Sequence, residues 1–289
     1  MKKALALTLA AAMALGLAAC GNGGGTSGSG ASSGSGSTSG SGSTSGSNAA
    51  TEVANKDKPL VWFNRQPSNS STGELDMNAL SFNDNTYYVG FDANQGAELQ
   101  GEMVLKYITD NIDTIDRNGD GIIGYVLAIG DIGHNDSIAR TRGVRSALGT
   151  GVEANGAIDS NPVGTNTDGS STIVQDGSID VGGTTYTVRE LASQEMKNSA
   201  GATWDAATAG NAITTWSASF GDQIDVVVSN NDGMGMAMFN GWSQAQGVPT
   251  FGYDANSDTV AAIANGYGGT ISQHADVQAY LTQIGRAHV

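Results

Sequence analysis

Between Asp116 and Arg140 the chain reads DRNGDGIIGYVLAIGDIGHNDSIAR, and this stretch holds two sets of residues able to do chemistry. The first is Asp116, Asn118 and Asp120 followed by Gly121. D-x-N-x-D-G is the spacing of the first half of an EF-hand-type calcium loop, in which alternate oxygens converge as the chain wraps and the glycine permits the sharp turn. The next ligand position falls on Ile122, which offers its backbone carbonyl. Position nine is Gly124, which has no side chain. Position twelve is Leu127, where an EF-hand has Glu, and Leu127 lies inside the apolar run 122–129. The closing carboxylate must therefore come from elsewhere, and Asp225, in the apolar run IDVVV, is the candidate. The same spacing also suits an Asx-rich turn that needs no ion. The second set is His134, Asp136 and Arg140, a polar turn at the carboxyl end of the same apolar run.

Other apolar runs also end in polar residues: PLVWFN at Asn64, IDVVVSNND at Asn231 and TFGYD at Asp254. Amide and carboxylate side chains supply paired donors and acceptors for neutral hydroxyl groups. His134 beside Asp136 raises the question of acid–base catalysis. No nucleophile sits in a recognisable elbow and no second histidine pairs with His134, so the sequence favours binding over turnover. No phosphate-binding loop of the G-x-x-x-x-G-K-[ST] kind occurs, which argues against nucleotides.

These residues need elements to hold them. Short β-rich runs at 59–64, 87–91, 124–129, 224–228, 250–253 and 269–272 read as strands. Helical spacing covers 95–110, 136–148, 203–218, 233–246, 257–264 and 275–283. Residues 151–183 are rich in Gly, Asn, Asp and Thr, and 184–190 (TTYTVRE) alternates like an edge strand, so 151–190 is expected to be a surface hairpin or insertion. Strands alternating with helices predict an α/β fold with a parallel sheet covered on both faces, which binds ligands beyond the carboxyl ends of its strands. Met234, Met236 and Met238 read as helix packing rather than a metal cluster. Trp62 and Phe63 read as strand core, and Trp216 and Trp242 as helix packing.

The ends of the chain speak to location. Residues 1–19 carry Lys2 and Lys3 and then an Ala/Leu-rich apolar run, the pattern of a secretion signal. They lead into Leu-Ala-Ala-Cys at 17–20, the lipobox spacing, which marks Cys20 for lipid attachment. Cys20 is the sole cysteine, so the chain can form no internal disulfide. Residues 21–48 are almost entirely Gly, Ser and Thr, a flexible tether on the order of 30 Å end to end. The formal charge is −15 over 289 residues. Such an acidic chain is not expected to bind nucleic acid, whose phosphates call for Lys and Arg.

Taken together, VWFNRQPS, TYYVGFDANQGAELQGE, DRNGDG, GHNDSIAR, ATWDAA, IDVVVSNNDGMGMA, TFGYDA and GTISQ occur in an order that resembles the galactose/glucose-binding lipoproteins of bacterial sugar ABC importers. The resemblance implies the type I periplasmic-binding protein fold, with two doubly wound parallel-sheet lobes. It implies a hexose, galactose or glucose, held between the lobes by Asn64, His134, Asp136, Arg140, Asn231 and Asp254 and stacked on Trp204. Gln273 stands where the family has its last polar contact, an Asn. It also implies a calcium ion (Ca2+) on Asp116, Asn118, Asp120, the Ile122 carbonyl and Asp225, weakened because the family commonly has Gln at Gly124 and Glu at Asp225.

The implied organisation is a signal with lipobox (1–20), a tether (21–50), part of the N-terminal lobe (51–92), the C-terminal lobe (93–270) with its insertion, and a return to the first lobe (271–289). The N-terminal lobe is expected to be incomplete, without the second stacking aromatic, and sugar binding correspondingly weak or absent. The closing IGRAHV reads as translated sequencing-adapter DNA. A monomer that hands sugar to ABC permease subunits, anchored by lipid on the outer face of the cytoplasmic membrane, is the implied role. Presentation of bound hexose to a membrane receptor would use the same fold and site.

Overall fold

The computed structural model describes residues 59–64, 66–67, 76–81, 84–152 and 176–287, with no side-chain account beyond 283. The signal, Cys20, the tether, most of the Gly-rich stretch after 152 and the side chains of the IGRAHV tail lie outside the described residues.

Two sheets form. The smaller pairs β1 (Leu60–Asn64) with β2 (Thr86–Gly90) in parallel, with the short helix α1 (Met77–Leu80) between them in sequence. The larger has five strands in the order β4-β5-β3-β6-β7. These are β3 (Ile122–Ile129), β4 (Asp176–Val181), β5 (Thr184–Glu195), β6 (Val226–Ser229) and β7 (Thr250–Phe251). All pairings in it are parallel except that of the edge strand β4 with β5.

β3 lies at the centre, and its side chains alternate between two cores, as the period of two demands. Ile123, Tyr125, Leu127 and Ile129 face Val104 and Ile108 of α2 (Ala93–Asp110) and Val144 and Leu148 of α3 (Asn135–Leu148). Val126 and Ala128 face Ala209, Ile213 and Trp216 of α4 (Ala206–Phe220) and Met234 and Met238 of α5 (Asp232–Met238). Both methionines and Trp216 are core residues, as the sequence indicates. Helix α5 runs on through a π-helical turn at Phe239–Ser243 to a last turn at Gln244–Gln246. Helix α6 (Ser257–Ala262) follows β7, and α7 (Ala275–Ala287) packs against β1 and β2.

Helices α2 and α3 meet backbone to backbone. A Cβ on Gly101 would collide with the Gly143 carbonyl, and one on Gly143 with the Ala97 carbonyl. Glycine is needed at both positions for this approach.

Three expectations change. The TTYTVRE segment is not an edge: β5 is twelve residues long and lies between β4 and β3. Its outer half alternates because it forms a hairpin with β4, whereas its inner half is buried against β3 beyond a bulge at Tyr125/Val126. Residues 269–272 form no strand: a single bridge joins Gly269 to Phe251, and backbone bonds from Gly252 and Asp254 to Gly269 and Ile271 carry the segment across. Phe63 is not core but 46% exposed, and Trp62 is half-buried, because among the described residues β1 has β2 beside it and α7 against it.

Candidate functional site

Arg140 is the hub of the site. It lies one helical turn after Asp136 on α3, and only 3% of it is exposed. Its guanidinium donates to the Asn230 carbonyl at 2.7 Å and to Asp136 Oδ2 at 3.5 Å. It comes within 3.9 Å of Asp254 Oδ1. The rings of Tyr253 and Trp204 stand 3.6 and 5.8 Å from it, centroid to Cζ. Burying a guanidinium requires such partners, because an unpaired buried charge is costly.

His134, Trp204, Asp254 and Gln273 gather around this hub. His134 caps α3: its Nδ1 accepts from the Asp136 N–H at 3.1 Å, which assigns the ring proton to Nε2, a donor. Its ring meets Trp204 edge-on at 5.5 Å. Trp204 lies on Gly130 so closely that a Cβ there would strike the indole. Asp254 accepts from Gln273 Nε2, so the longer side chain at 273 does reach the site. Burial raises the Asp254 carboxyl above its ordinary range; Arg140 and Gln273 oppose this, and Asp136 adds to it. Asn231 is placed differently. Its Oδ1 accepts from Met234 N as the N-cap of α5, which leaves the amide nitrogen as the group it can offer a ligand. Asn64 stands at the end of β1, its carbonyl 3.4 Å from the Tyr88 hydroxyl, which donates to the Phe91 carbonyl at 2.9 Å. Burial, with Asp136 and Asp92 nearby, pushes Tyr88 up to about 12.

Backbone strain gathers at the same place. Among the described residues, five non-glycines have positive φ: Asn64, Trp204, Asp254, Ala255 and His274. Three are predicted site residues and the other two adjoin Asp254 and Gln273. Such conformations persist where surrounding structure enforces them, commonly at functional sites.

Sequence reasoning missed Tyr253, Asn230 and Asp232. Asn230 Oδ1 accepts from Gly130 N at 3.2 Å, tying the end of β6 to the glycine beneath Trp204. Asp232, fully buried, accepts from Asn256 N and Thr270 Oγ1, both at 2.8 Å, and fixes the loop after Asp254 to the crossing segment. Desolvation pushes its carboxyl up to about 6 against those bonds. The doubled Asn and the Asp after β6 were the available signal, and only Asn231 stood out as a strand end.

The cation-loop residues form an Asx-bonded turn. Asp116 accepts from Gly119 and Gly121 N–H, both at 2.8 Å, and Asp120 from Ile122 N at 2.8 Å. Asp225 precedes β6, fully buried, and accepts from Arg117 N and Gly124 N. Desolvation, with Asp116 nearby, pushes its carboxyl up to about 7 against those two bonds. Among the described residues no group of three or more His, Cys, Asp or Glu is arranged to hold a metal ion. The donors are hard oxygens of the kind calcium takes, and the buried Asp225 is a carboxylate that a cation would relieve. The residues fit the ion as a donor set, not as a preformed cage.

A parallel α/β sheet whose strand ends present an arginine, two carboxylates, amides and a ring defines a small-molecule binding fold. The profile of the periplasmic binding protein domain matches residues 43–283, and the chain belongs to that family. It is 29% identical over 226 residues to the D-galactose/methyl-galactoside binding periplasmic protein of Haemophilus influenzae, covering 75% of this chain and 53% of that protein. The chain thus spans about half the length of that curated relative. An ABC transporter periplasmic solute binding protein from Actinobacillus succinogenes 130z, solved with bound D-allose, shares the fold. It aligns with a TM-score of 0.51 at 16% identity, over 81% of this chain and 64% of that one.

Proposed function

We propose that this chain captures a hexose, galactose or glucose, for an ABC importer, and is a binding protein and not an enzyme. The observation that carries the reading is Arg140, buried between Asp136 and Asp254 with Trp204 beside it. Planar charged groups bind adjacent hydroxyls in pairs, and an indole face accepts a sugar's C–H face. The sugar named for the Haemophilus relative supports galactose. Delivery to permease subunits, a lipid anchor on Cys20, an extracytoplasmic site and a monomeric state belong to the same proposal. Among the described residues no helix is long and apolar enough to cross a membrane.

Stacking comes from Trp204 alone among the predicted site residues, so the dissociation constant is expected above about 1 mM, less than ~4 kcal/mol of binding free energy. NMR titration of the full chain with galactose, glucose and a non-sugar polyol tests this. The Trp204 indole and Arg140 side-chain resonances are expected to move with hexose at tens of millimolar and not with the polyol. Equal responses to all three would sink the proposal.

Calcium belongs to the same reading, held by Asp116, Asn118, Asp120, the Ile122 carbonyl and Asp225. Calcium is expected to raise the melting temperature over that in EDTA, and Asp225→Asn to remove most of the rise. An unchanged melting temperature in saturating calcium would dismiss the ion.

A further inference from the structure

We propose that Tyr253 is a positioning residue for ligand capture, its ring face setting the plane in which Arg140 presents its N–H groups. The inference rests on the sugar-binding reading above for its consequence, but not for its geometry.

Arg140 is held unevenly. Of its three nitrogens, Nη1 has a short bond to the Asn230 carbonyl, Nη2 has a long one to Asp136, and Nε is buried with no hydrogen-bond partner among the described residues. One short bond at Nη1, with the covalent tether at Nε, still leaves the plane free to tilt about the line joining those two points. The Tyr253 ring, 3.6 Å from the guanidinium carbon, closes that freedom by contact with the whole face. A ring at that distance attracts a cation through its quadrupole, more strongly where water is excluded. Tyr253 is itself only 1% exposed. Its hydroxyl end lies against α2, where a Cβ on Gly96 would strike it, and Phe91 stands 6.5 Å from the ring. The ring therefore cannot swing away without moving α2. With one face on Tyr253, the guanidinium keeps Nη2 toward Asp136 and Nη1 toward Asp254, with the Trp204 ring 5.8 Å from its carbon. A ligand that meets Arg140 finds donors already aimed, and less freedom is lost on binding.

The experiment uses the full chain and two substitutions, Tyr253→Phe and Tyr253→Leu. The first readout needs no sugar: the Arg140 Nε–Hε resonance, assigned by its loss in Arg140→Lys, is expected upfield from the ring current in the parent and in Tyr253→Phe, and to lose most of that shift in Tyr253→Leu, where Trp204 is the ring left beside it. The second is galactose titration, in which Tyr253→Leu is expected to weaken binding about tenfold, the scale of a desolvated cation–π contact, while Tyr253→Phe matches the parent. Loss of the upfield shift in Tyr253→Phe overturns the proposal, because the hydroxyl and not the ring would then hold Arg140. That comparison stands even if Tyr253→Leu does not fold. An unchanged galactose curve in Tyr253→Leu with most of the shift gone also overturns it. If the parent ignores sugar while the shift pattern holds, the orientation of Arg140 is supported and the sugar reading is what fails.

Discussion

β1 and β3 are both parallel strands that end at the site, yet they are covered very differently. In β3 every residue after Ile122 is buried, whereas in β1 none is fully buried. The five-stranded sheet has α2 and α3 on one face and α4 and α5 on the other, while β1 and β2 have α7. On α7 itself Val277, Tyr280 and Leu281 remain largely exposed. Delivering a polar strand end to a site and burying a strand are thus separate achievements. His134, Asp136, Arg140, Trp204, Asn231 and Asp254 stand on the well-covered sheet. Asn64 alone is delivered from the sparsely covered one.

The sharpest way to probe this contrast is a feature that, among the described residues, belongs to the larger sheet. Arg145 on α3 and Glu190 on β5 form a fully buried pair, with Nη2 to Oε1 at 2.6 Å and Nε to Oε2 at 2.7 Å. Tyr125 donates to the same carboxylate at 2.7 Å. Glu190→Ala leaves Arg145 charged and buried and is expected to cost about 3–5 kcal/mol in urea unfolding. The double change Glu190→Ala with Arg145→Met is expected to restore most of that. If Glu190→Ala costs under ~1 kcal/mol, the larger sheet is not the stable body its burial suggests.

A further effect comes from pH. Asp225 is raised from its ordinary value to about 7 by desolvation, so without calcium the folded chain holds a proton that the unfolded chain has lost. Stability should therefore fall as pH rises from the ordinary carboxylate range through about 7, then level off. In EDTA, Asp225→Asn is expected to flatten that part of the profile. The same slope in both chains would mean that another group carries it.

The least effect is expected at Phe63. Nearly half exposed, it has about half the apolar surface of a core Phe to lose, so Phe63→Ser should cost about 1–1.5 kcal/mol in the same assay. A larger cost would show that β1 is buried more deeply than its neighbours β2 and α7 allow.

The sequence made the centre of the larger sheet legible because three signals agree there: the D-x-N-x-D-G turn, an unbroken apolar strand, and a polar turn opening a helix. All three are where they were expected. β5 was harder because one strand serves two environments, alternating where it meets β4 and buried where it meets β3. Residues 269–272 have strand composition, but their carbonyls accept from Gly252 and Asp254 without building a ladder. Tyr253 was invisible as a site residue because an aromatic in a β-rich run reads as core, which it also is. What sets it apart is a cation on its face, and Arg140 comes from a helix more than a hundred residues earlier.

The contact of α2 with α3 through Gly101, Gly143 and Ala97 has a mechanical meaning. Side chains between helices can change rotamer and let one helix slide over the other; two backbones in contact have nothing to rearrange. α3 carries Asp136 and Arg140, and α2 carries Gly96, against which Tyr253 rests. The two helices therefore behave as one lever. That lever is packed on β3 as well, so a motion of α3 takes α2 and the sheet with it and keeps the arginine and its carboxylate together.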